Sequence, residues 1–222
     1  MKIFRYIVVI MLAFAGATFA WSQTPVVVSP VTSTEGYDFF VTWLLNGNRG
    51  PKDKDLKLQI MISSDRVPGH PEITTNNVRV DYPGGGQDVA IPVGTTQVVD
   101  ITQGESVYID VEKNQAEQIA QTAAGVHVYS KNGVKMTVFV GNKIGNDVGS
   151  TSFDASHVLP KEALGYEYIV QCNSHDIMAT QFAIMSTVAG KTHVSLTIPE
   201  KVKTSTGKAG SYTIEFTKPY QV

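Results

Sequence analysis

Apolar and polar residues alternate in short runs along most of the chain. Such runs occupy residues 58–62, 107–111, 135–140 and 193–198, and β-branched residues are frequent in them. Alternation with a period of two is typical of a strand that buries one face. The turn sequences between the runs include Asn46-Gly47, Pro83-Gly84-Gly85-Gly86, Asn132-Gly133, Gly145-Asn146-Asp147 and Thr206-Gly207. The pattern predicts an all-β fold, and only residues 114–123 have a composition that also fits a helix.

One phrase occurs twice. Residues 36–41 read Gly-Tyr-Asp-Phe-Phe-Val, and residues 165–170 read Gly-Tyr-Glu-Tyr-Ile-Val. Three further matches follow in the same order: Ile62-Ser63-Ser64 with Met185-Ser186-Thr187, Val78-Arg79-Val80 with Val194-Ser195-Leu196, and Asp100-Ile101-Thr102-Gln103 with Glu215-Phe216-Thr217-Lys218. Ordered matches separated by loops of different length indicate an internal duplication. We therefore expect tandem β-sandwich-like modules, module one at residues 34–145 and module two at residues 146–222.

The two copies of the phrase predict which side chains share a strand face. Alternate residues point to the same side, so Tyr37, Phe39, Val41 and Trp43 are expected on one face. Their counterparts are residues 166, 168, 170 and 172, so Cys172 occupies the position of the tryptophan. We expect this single cysteine to be a buried, unreactive thiol. Asp38 and Glu167 fall on the opposite face and are expected to be solvated.

The amino terminus has the pattern of a secretory signal peptide. Lys2 and Arg5 precede an apolar run at residues 7–14, and small residues follow at 15–17 and at Ala20. The run is shorter than the roughly 20 residues that a membrane-spanning helix needs. We predict a signal peptide at residues 1–20, a short linker at 21–33, and a secreted or cell-surface protein with no membrane-spanning segment in the mature chain.

Charge and motifs argue against several classes of function. The formal net charge is −2 and no basic stripe is present, so nucleic acid is not an expected partner. The five histidines show no metal-ligand spacing, and no Gly-x-Ser-x-Gly motif is present. The glycine-rich stretches at 84–86 and 141–145 are not followed by Lys-Ser or Lys-Thr. We predict that the chain is not an enzyme and holds no catalytic residue, cofactor or metal.

A longer series of motifs resembles a known family. The series comprises residues 36–41, 58–63, 107–111, 125–130, 134–140 and 159–168, the last with Leu-Pro followed by Leu-Gly-Tyr-Glu-Tyr. This order is similar to the amino-terminal domain of IgG Fc-binding proteins, over nearly all of the chain from residue 34. Bacterial secreted and surface proteins also carry this domain. The resemblance implies an extracellular all-β binding or adhesion module, and it brings no catalytic residues.

Module two is expected to be incomplete. It stops at Val222, in the region that corresponds to the start of the run at 107–111 in module one. Missing strands would leave a sheet edge unpaired. Three explanations follow: the chain is a piece of a longer protein, module two borrows strands from module one, or its open edge accepts a strand of another chain.

Together these features predict a non-enzymatic module that binds an extracellular protein or glycan. Recognition would involve two loops that module two lacks, residues 46–55 with Arg49, Lys52 and Lys54, and residues 65–75 with His70. The other interpretation of these loops is tolerated length variation. A structural spacer domain of a larger surface protein is the main alternative function. A secreted hydrolase that uses serine and histidine is the third.

Overall fold

The structure, a computed structural model, describes residues 33–44, 56–101, 108–109, 124–144, 152–171, 182–188, 190–202, 210–218 and 221–222. The predicted signal peptide, nearly all of the linker, the helix-compatible residues 114–123 and Cys172 lie outside these ranges. Strands and one 3-10 turn are the regular structure of the described residues, which confirms the all-β prediction. Among them there is no helix long and apolar enough to cross a bilayer.

The strands in this part of the chain are β1 (Asp38–Val41), β2 (Trp43–Leu44), β3 (Leu56–Ser64), β4 (Thr75–Tyr82), β5 (Gly85–Pro92), β6 (Thr96–Ile101), β7 (Tyr108–Ile109), β8 (Val126–Ser130), β9 (Met136–Ile144), β10 (Ser152–Val158), β11 (Thr192–Ile198) and β12 (Gly210–Phe216). The 3-10 turn is Lys161–Ala163. The runs predicted at 58–62 and 193–198 fall within β3 and β11, and the run at 135–140 overlaps β9 from Met136 onward.

Two four-stranded antiparallel sheets make up most of the described structure. The first sheet has the strand order β1-β8-β4-β5, and the second has the order β10-β9-β3-β6. Strands β2 and β7 form a separate parallel pair, and β11 and β12 form a separate antiparallel pair. A tight turn joins the consecutive antiparallel strands β4 and β5, and Gly84 in this turn adopts φ 81°. Glycine suits this turn because a side chain would be strained at positive φ.

Both large sheets contribute to one hydrophobic core. The first sheet supplies residues such as Phe39 and Val128, and the second supplies residues such as Ile60 and Met136, all of them fully buried. Each such side chain contributes about 1.5–3 kcal/mol of transfer free energy relative to exposure. The indole N–H of buried Trp43 donates to the carbonyl of Gly141 at 3.1 Å, which ties β2 to β9. The predicted inward face of residues 39, 41 and 43 is therefore correct, whereas Tyr37 is partly exposed.

A buried polar network supports the turn between β8 and β9. The Asn76 side-chain amide donates to the Val134 carbonyl at 3.2 Å and accepts from the Ser130 hydroxyl at 2.8 Å. Ser130 Oγ also accepts from the Val134 N–H at 3.0 Å. Buried polar groups need such partners because leaving one unpaired is costly. The network holds the segment that leads from the first sheet to the second.

Residues beyond 145 pair with strands of both large sheets. Strand β10 pairs with β9, and Pro160 forms an isolated bridge with Phe39 of β1. The matching segments of the two predicted modules do not share one pairing pattern. β4 and β6 lie in different sheets, whereas β11 and β12, which match parts of them in sequence, pair with each other.

Residues 165–171 have no regular secondary structure, although residues 165–170 match the sequence around β1. A strand requires a neighbour to accept its backbone hydrogen bonds. Among the described strand pairs, none includes these residues.

Candidate functional site

The outward face of the first sheet carries a cluster of aromatic and charged side chains. Strand alternation that buries Phe39, Val80 and Val128 points their neighbours in sequence away from the core. We call the outward cluster the first-sheet face, and it consists of Asp38 and Phe40 from β1, His127 and Tyr129 from β8, Arg79 and Asp81 from β4, and Gly86 and Asp88 from β5. These residues lie on four adjacent strands, so the backbone fixes their spacing.

Three rings stack across two strands of this face. Phe40 lies opposite His127 in the β1–β8 register, and the two rings are parallel within 3°, with centroids 4.6 Å apart. Tyr129 also stacks on His127, at 4.6 Å between ring centroids and with an interplanar angle of 30°. Cross-strand aromatic pairs of this kind stabilise a sheet surface. The stack holds the imidazole in one orientation.

Asp38 connects the stack to the 3-10 turn. Its Oδ1 lies 2.5 Å from His127 Nε2, and its Oδ2 lies 3.5 Å from Lys161 Nζ. Lys161 Nζ is also 5.8 Å from the centre of the Phe40 ring, which is within range of a cation–π interaction. The carboxylate is thus shared between two basic groups on different elements, and the expectation of a solvated Asp38 needs correction. Its side chain is only 25% exposed.

Arg79 organises the other half of the face. Its Nε donates to Asp81 Oδ1 at 2.6 Å, and its Nη1 lies 3.6 Å from Asp88 Oδ2. Lys131 Nζ donates to Asp88 Oδ1 at 3.3 Å. The hydrogen bond to Asp81 raises the pKa of Arg79, and the negative charges of Asp81 and Asp88 act in the same direction. Linked ion pairs of this kind hold a guanidinium in place better than a single exposed pair does.

Gly86 provides the space that this arrangement needs. It lies opposite Asp81 in the β4–β5 register, and a methyl group at this position would collide with the Arg79 guanidinium and the Asp81 carboxylate. The glycine therefore allows the Arg79 side chain to lie across β5. The colliding atoms are the ends of flexible side chains, so a larger residue would displace the ion pair more readily than the strand.

The outward face of the second sheet has a different chemistry. Val98, Phe139 and Phe153 are exposed there, and His157 packs against Phe139 with ring centroids 4.8 Å apart. The Phe153 ring lies over Gly141, where an added Cβ would be 2.8 Å from Phe153 Cε2. This face exposes apolar rings beside polar residues such as Gln59 and Asp100, whereas the first-sheet face combines stacked rings with linked ion pairs.

The loop residues predicted from the sequence do not meet at this face in the described part of the chain. His70 is exposed in the connection between β3 and β4, and its Nδ1 lies 2.9 Å from Glu72 Oε1. The pKa of Glu72 is lowered by a hydrogen bond from its own backbone N–H and by His70. Arg49, Lys52 and Lys54 lie outside the described residues.

Sequence reasoning missed the residues that do converge. Phe40, His127, Tyr129 and Arg79 are all outward positions of alternating strands, and that alternation is visible in the sequence. What joins them is the pairing of β1 with β8 and of β8 with β4. A search for aromatic and charged residues at outward positions of several strands would have found the members but not their arrangement.

The described residues include no group of three or more His, Cys, Asp or Glu side chains placed to hold a metal ion. Comparison with family models, with curated proteins and with solved structures finds no match to this chain. The resemblance to the amino-terminal domain of IgG Fc-binding proteins therefore stays a prediction from the sequence. The functional argument rests on the geometry of the first-sheet face.

Proposed function

We propose that this protein is an exported, non-enzymatic β-sandwich module that binds a protein or glycan outside the cell through the first-sheet face. The observation that carries this proposal is the stack of Phe40, His127 and Tyr129 beside the charged contacts of Asp38 and Arg79. The signal-peptide pattern of residues 1–20 supports the extracellular location.

Pre-organisation is the physical reason why this face suits recognition. Side chains that are already held in place lose little conformational entropy when a ligand binds. Aromatic and arginine side chains also dominate the energy of many binding sites. The edges and exposed surfaces of the stacked rings offer apolar contact, while Arg79 and Asp88 offer hydrogen bonds at the other end of the face.

The His127–Asp38 pair is better suited to binding than to catalysis. Phe40 and Tyr129 both stack on the imidazole, and Nε2 is bound to Asp38. A general base must present a nitrogen to a substrate or nucleophile within hydrogen-bond reach. Here Asp38 engages Nε2 and the stacking fixes the plane of the ring, so its contribution is to the shape and polarity of the surface.

The proposal can be tested by binding measurements on arrays of free glycans and of extracellular glycoproteins, with immunoglobulin Fc as one protein on the array. Phe40→Ala and Tyr129→Ala are expected to weaken binding of any ligand found by about tenfold or more each. Phe153→Ala is the matched control because it removes an exposed ring from the opposite sheet. The control is expected to bind as the unsubstituted protein does.

Three results would count against the proposal. Equal weakening by all three substitutions would show that the effect is not specific to the first-sheet face. Binding that none of them changes would place the ligand elsewhere on the molecule. A folded protein that binds nothing on either array would favour the spacer role over recognition.

A further inference from the structure

Residues 165–171 have no regular secondary structure, and their large apolar side chains lie open to solvent. We call these residues the exposed segment, and they follow the 3-10 turn Lys161–Ala163. The side chains of Tyr166 and Ile169 are 100% exposed, and those of Tyr168 and Val170 are 66% and 47% exposed. Contiguous apolar exposure of this kind marks a surface that another molecule covers.

The backbone of the exposed segment is also unpaired within the described part of the chain. Within the segment, the Gly165 N–H donates to the Tyr168 hydroxyl at 2.9 Å. Tyrosine, isoleucine and valine favour strands, and no proline or lysine interrupts residues 166–171. Protected edges normally carry such interrupting residues. The segment therefore has the composition of a strand and lacks a neighbouring strand among the residues that the structure describes.

Strand β1 shows what this sequence pattern does when a neighbour is present. Tyr37-Asp38-Phe39-Phe40-Val41 corresponds to Tyr166-Glu167-Tyr168-Ile169-Val170. In β1, Phe39 and Val41 are buried, and they lie opposite Val128 and Val126 of β8. Phe40 lies opposite His127, which also binds the Asp38 carboxylate. An apolar-basic-apolar strand is thus the neighbour that fits this pattern.

The β8 strand of this protein is not free to be that neighbour. It pairs with β1 on one side and with β4 on the other. The same holds for β8 in a second copy, unless β1 is displaced at the expense of the buried Phe39 and Val41. The neighbour is therefore expected from a segment other than β8.

We propose that residues 166–171 form a strand by antiparallel pairing with a segment of another polypeptide whose side chains alternate as those of β8 do. Apolar residues of that segment lie opposite Tyr168 and Val170, and a basic residue lies opposite Ile169, within diagonal reach of Glu167. Main-chain hydrogen bonds supply affinity, and the alternating side chains supply specificity. This strand-binding segment is distinct from the first-sheet face and does not depend on the function proposed for that face.

A peptide with the sequence of residues 124–131, Ala-Gly-Val-His-Val-Tyr-Ser-Lys, is a direct probe. Fluorescence anisotropy of the dye-labelled peptide, titrated with the full chain, is expected to show saturable binding. Tyr168→Asp and Val170→Asp are expected to weaken it by about tenfold or more, because each places a charge opposite an apolar residue of the peptide. Val202→Asp, an exposed apolar position elsewhere, is the matched control and is expected to have no effect.

Charge reversal tests the register. Glu167→Lys is expected to weaken binding of the peptide, and a peptide in which glutamate replaces the histidine is expected to restore it. Hydrogen exchange should show slower exchange of the amides of residues 166–170 when the peptide is present. Because the segment is exposed, all of these variants are expected to keep the unfolding midpoint of the unsubstituted protein.

Several outcomes would overturn the proposal. Binding that survives Tyr168→Asp and Val170→Asp, or protection that appears in β1 instead of the exposed segment, would mean that the peptide exchanges with β8 of the sheet. If a scrambled peptide binds as tightly as the peptide of residues 124–131, the segment does not recognise the alternating side chains of β8. Dimerisation without peptide that Tyr168→Asp abolishes would make a second copy the partner. Loss of peptide binding in Phe40→Ala would show that the two surfaces are not independent.

Discussion

Asp38 and His127 are 89 residues apart in the sequence and are joined by a contact of 2.5 Å between Oδ1 and Nε2. They are diagonal rather than direct neighbours, because Asp38 lies opposite Tyr129 in the β1–β8 register. Diagonal side chains on adjacent strands reach one another when at least one of them is long or aromatic. The contact secures edge strand β1 to β8 at the position where the three rings stack.

The strength of this contact can be measured with a double-mutant cycle. Asp38→Ala removes the carboxylate, and His127→Phe removes Nε2 while keeping a flat ring between Phe40 and Tyr129. We expect a coupling free energy of about 1 kcal/mol in chemical unfolding, because both side chains are partly buried. The matched control is the cycle for Lys131 and Asp88, whose side chains are 50% and 58% exposed. There we expect a coupling near zero, and equal coupling in the two cycles would refute a special role for Asp38.

Gly36 is expected to tolerate no side chain. It forms a two-way bridge with Met136, with N···O distances of 3.0 and 2.9 Å, and Pro160 packs directly against its Cα. A methyl group on Gly36 would overlap the proline ring, which is rigid and buried. Gly36→Ala should therefore lower the free energy of unfolding by about 1–3 kcal/mol.

Gly165→Ala is the control for that substitution. Its new Cβ would meet the Glu167 carbonyl at 3.9 Å, an ordinary contact. We expect a change within about 0.5 kcal/mol. Both variants can be compared by urea unfolding at one pH, and similar midpoints would contradict the close packing of Pro160 on Gly36.

Asn76 is expected to stabilise the turn between β8 and β9. It is fully buried, and its removal leaves the Val134 carbonyl without its side-chain donor. Asn76→Ala should cost about 1–3 kcal/mol, the usual range for an unpaired buried polar group. Asn77→Ala is the matched control, because Asn77 is exposed and its backbone N–H keeps the bond to Asn132. If thermal unfolding midpoints of the two variants coincide, the network does not contribute as described.

Asp65 is expected to make stability depend on pH. Burial raises the pKa of this carboxyl group, the charge of Glu35 raises it further, and Lys135 partly offsets both. Its Oδ2 is buried and has no hydrogen-bond partner among the described residues. Because the folded state holds this proton to a higher pH than the unfolded state does, the stability contribution is greatest below the unfolded pKa and declines as pH rises through the folded pKa.

Asp65→Asn removes the free-energy cost of burying the ionised carboxylate. The variant should gain stability relative to the unsubstituted protein as pH rises from 4 to about 7. Urea unfolding midpoints of both proteins at several pH values would measure the difference. A difference that stays constant, or that shrinks as pH rises, would contradict the raised pKa.

Much of the strand layout follows from local patterns. The alternation in residues 58–62 is enough to predict β3 and its buried face, because one side chain in two must avoid water. The inward positions of Phe39, Val41 and Trp43 follow in the same way, and all three are buried. The connection around His70 was predicted as a loop, and it is one. Its proposed role in recognition stays a prediction.

The candidate site could not be predicted in this way. From the sequence, Phe40, Tyr129 and Arg79 are each predicted only as an outward residue of a strand. Outward positions are common, so this prediction does not indicate a binding site. Their significance comes from the neighbours that β8 acquires on its two sides. The sequence also does not show that Gly86 makes space for the Arg79 side chain. A glycine after a turn is expected simply because glycine suits the backbone conformation of turns.

The sequence by itself determined the all-β class, the turns at Pro83-Gly84 and Asn132-Gly133, and the shared face of Phe39, Val41 and Trp43, because these depend on the period of a segment and its own residues. Only the tertiary structure decided which strands became neighbours, since pairing depends on how both sheets share one core. The contrast between β1 and residues 165–171 shows the reason. Their patterns match, yet one is a strand and the other is not, because a strand exists only where a second backbone accepts its hydrogen bonds.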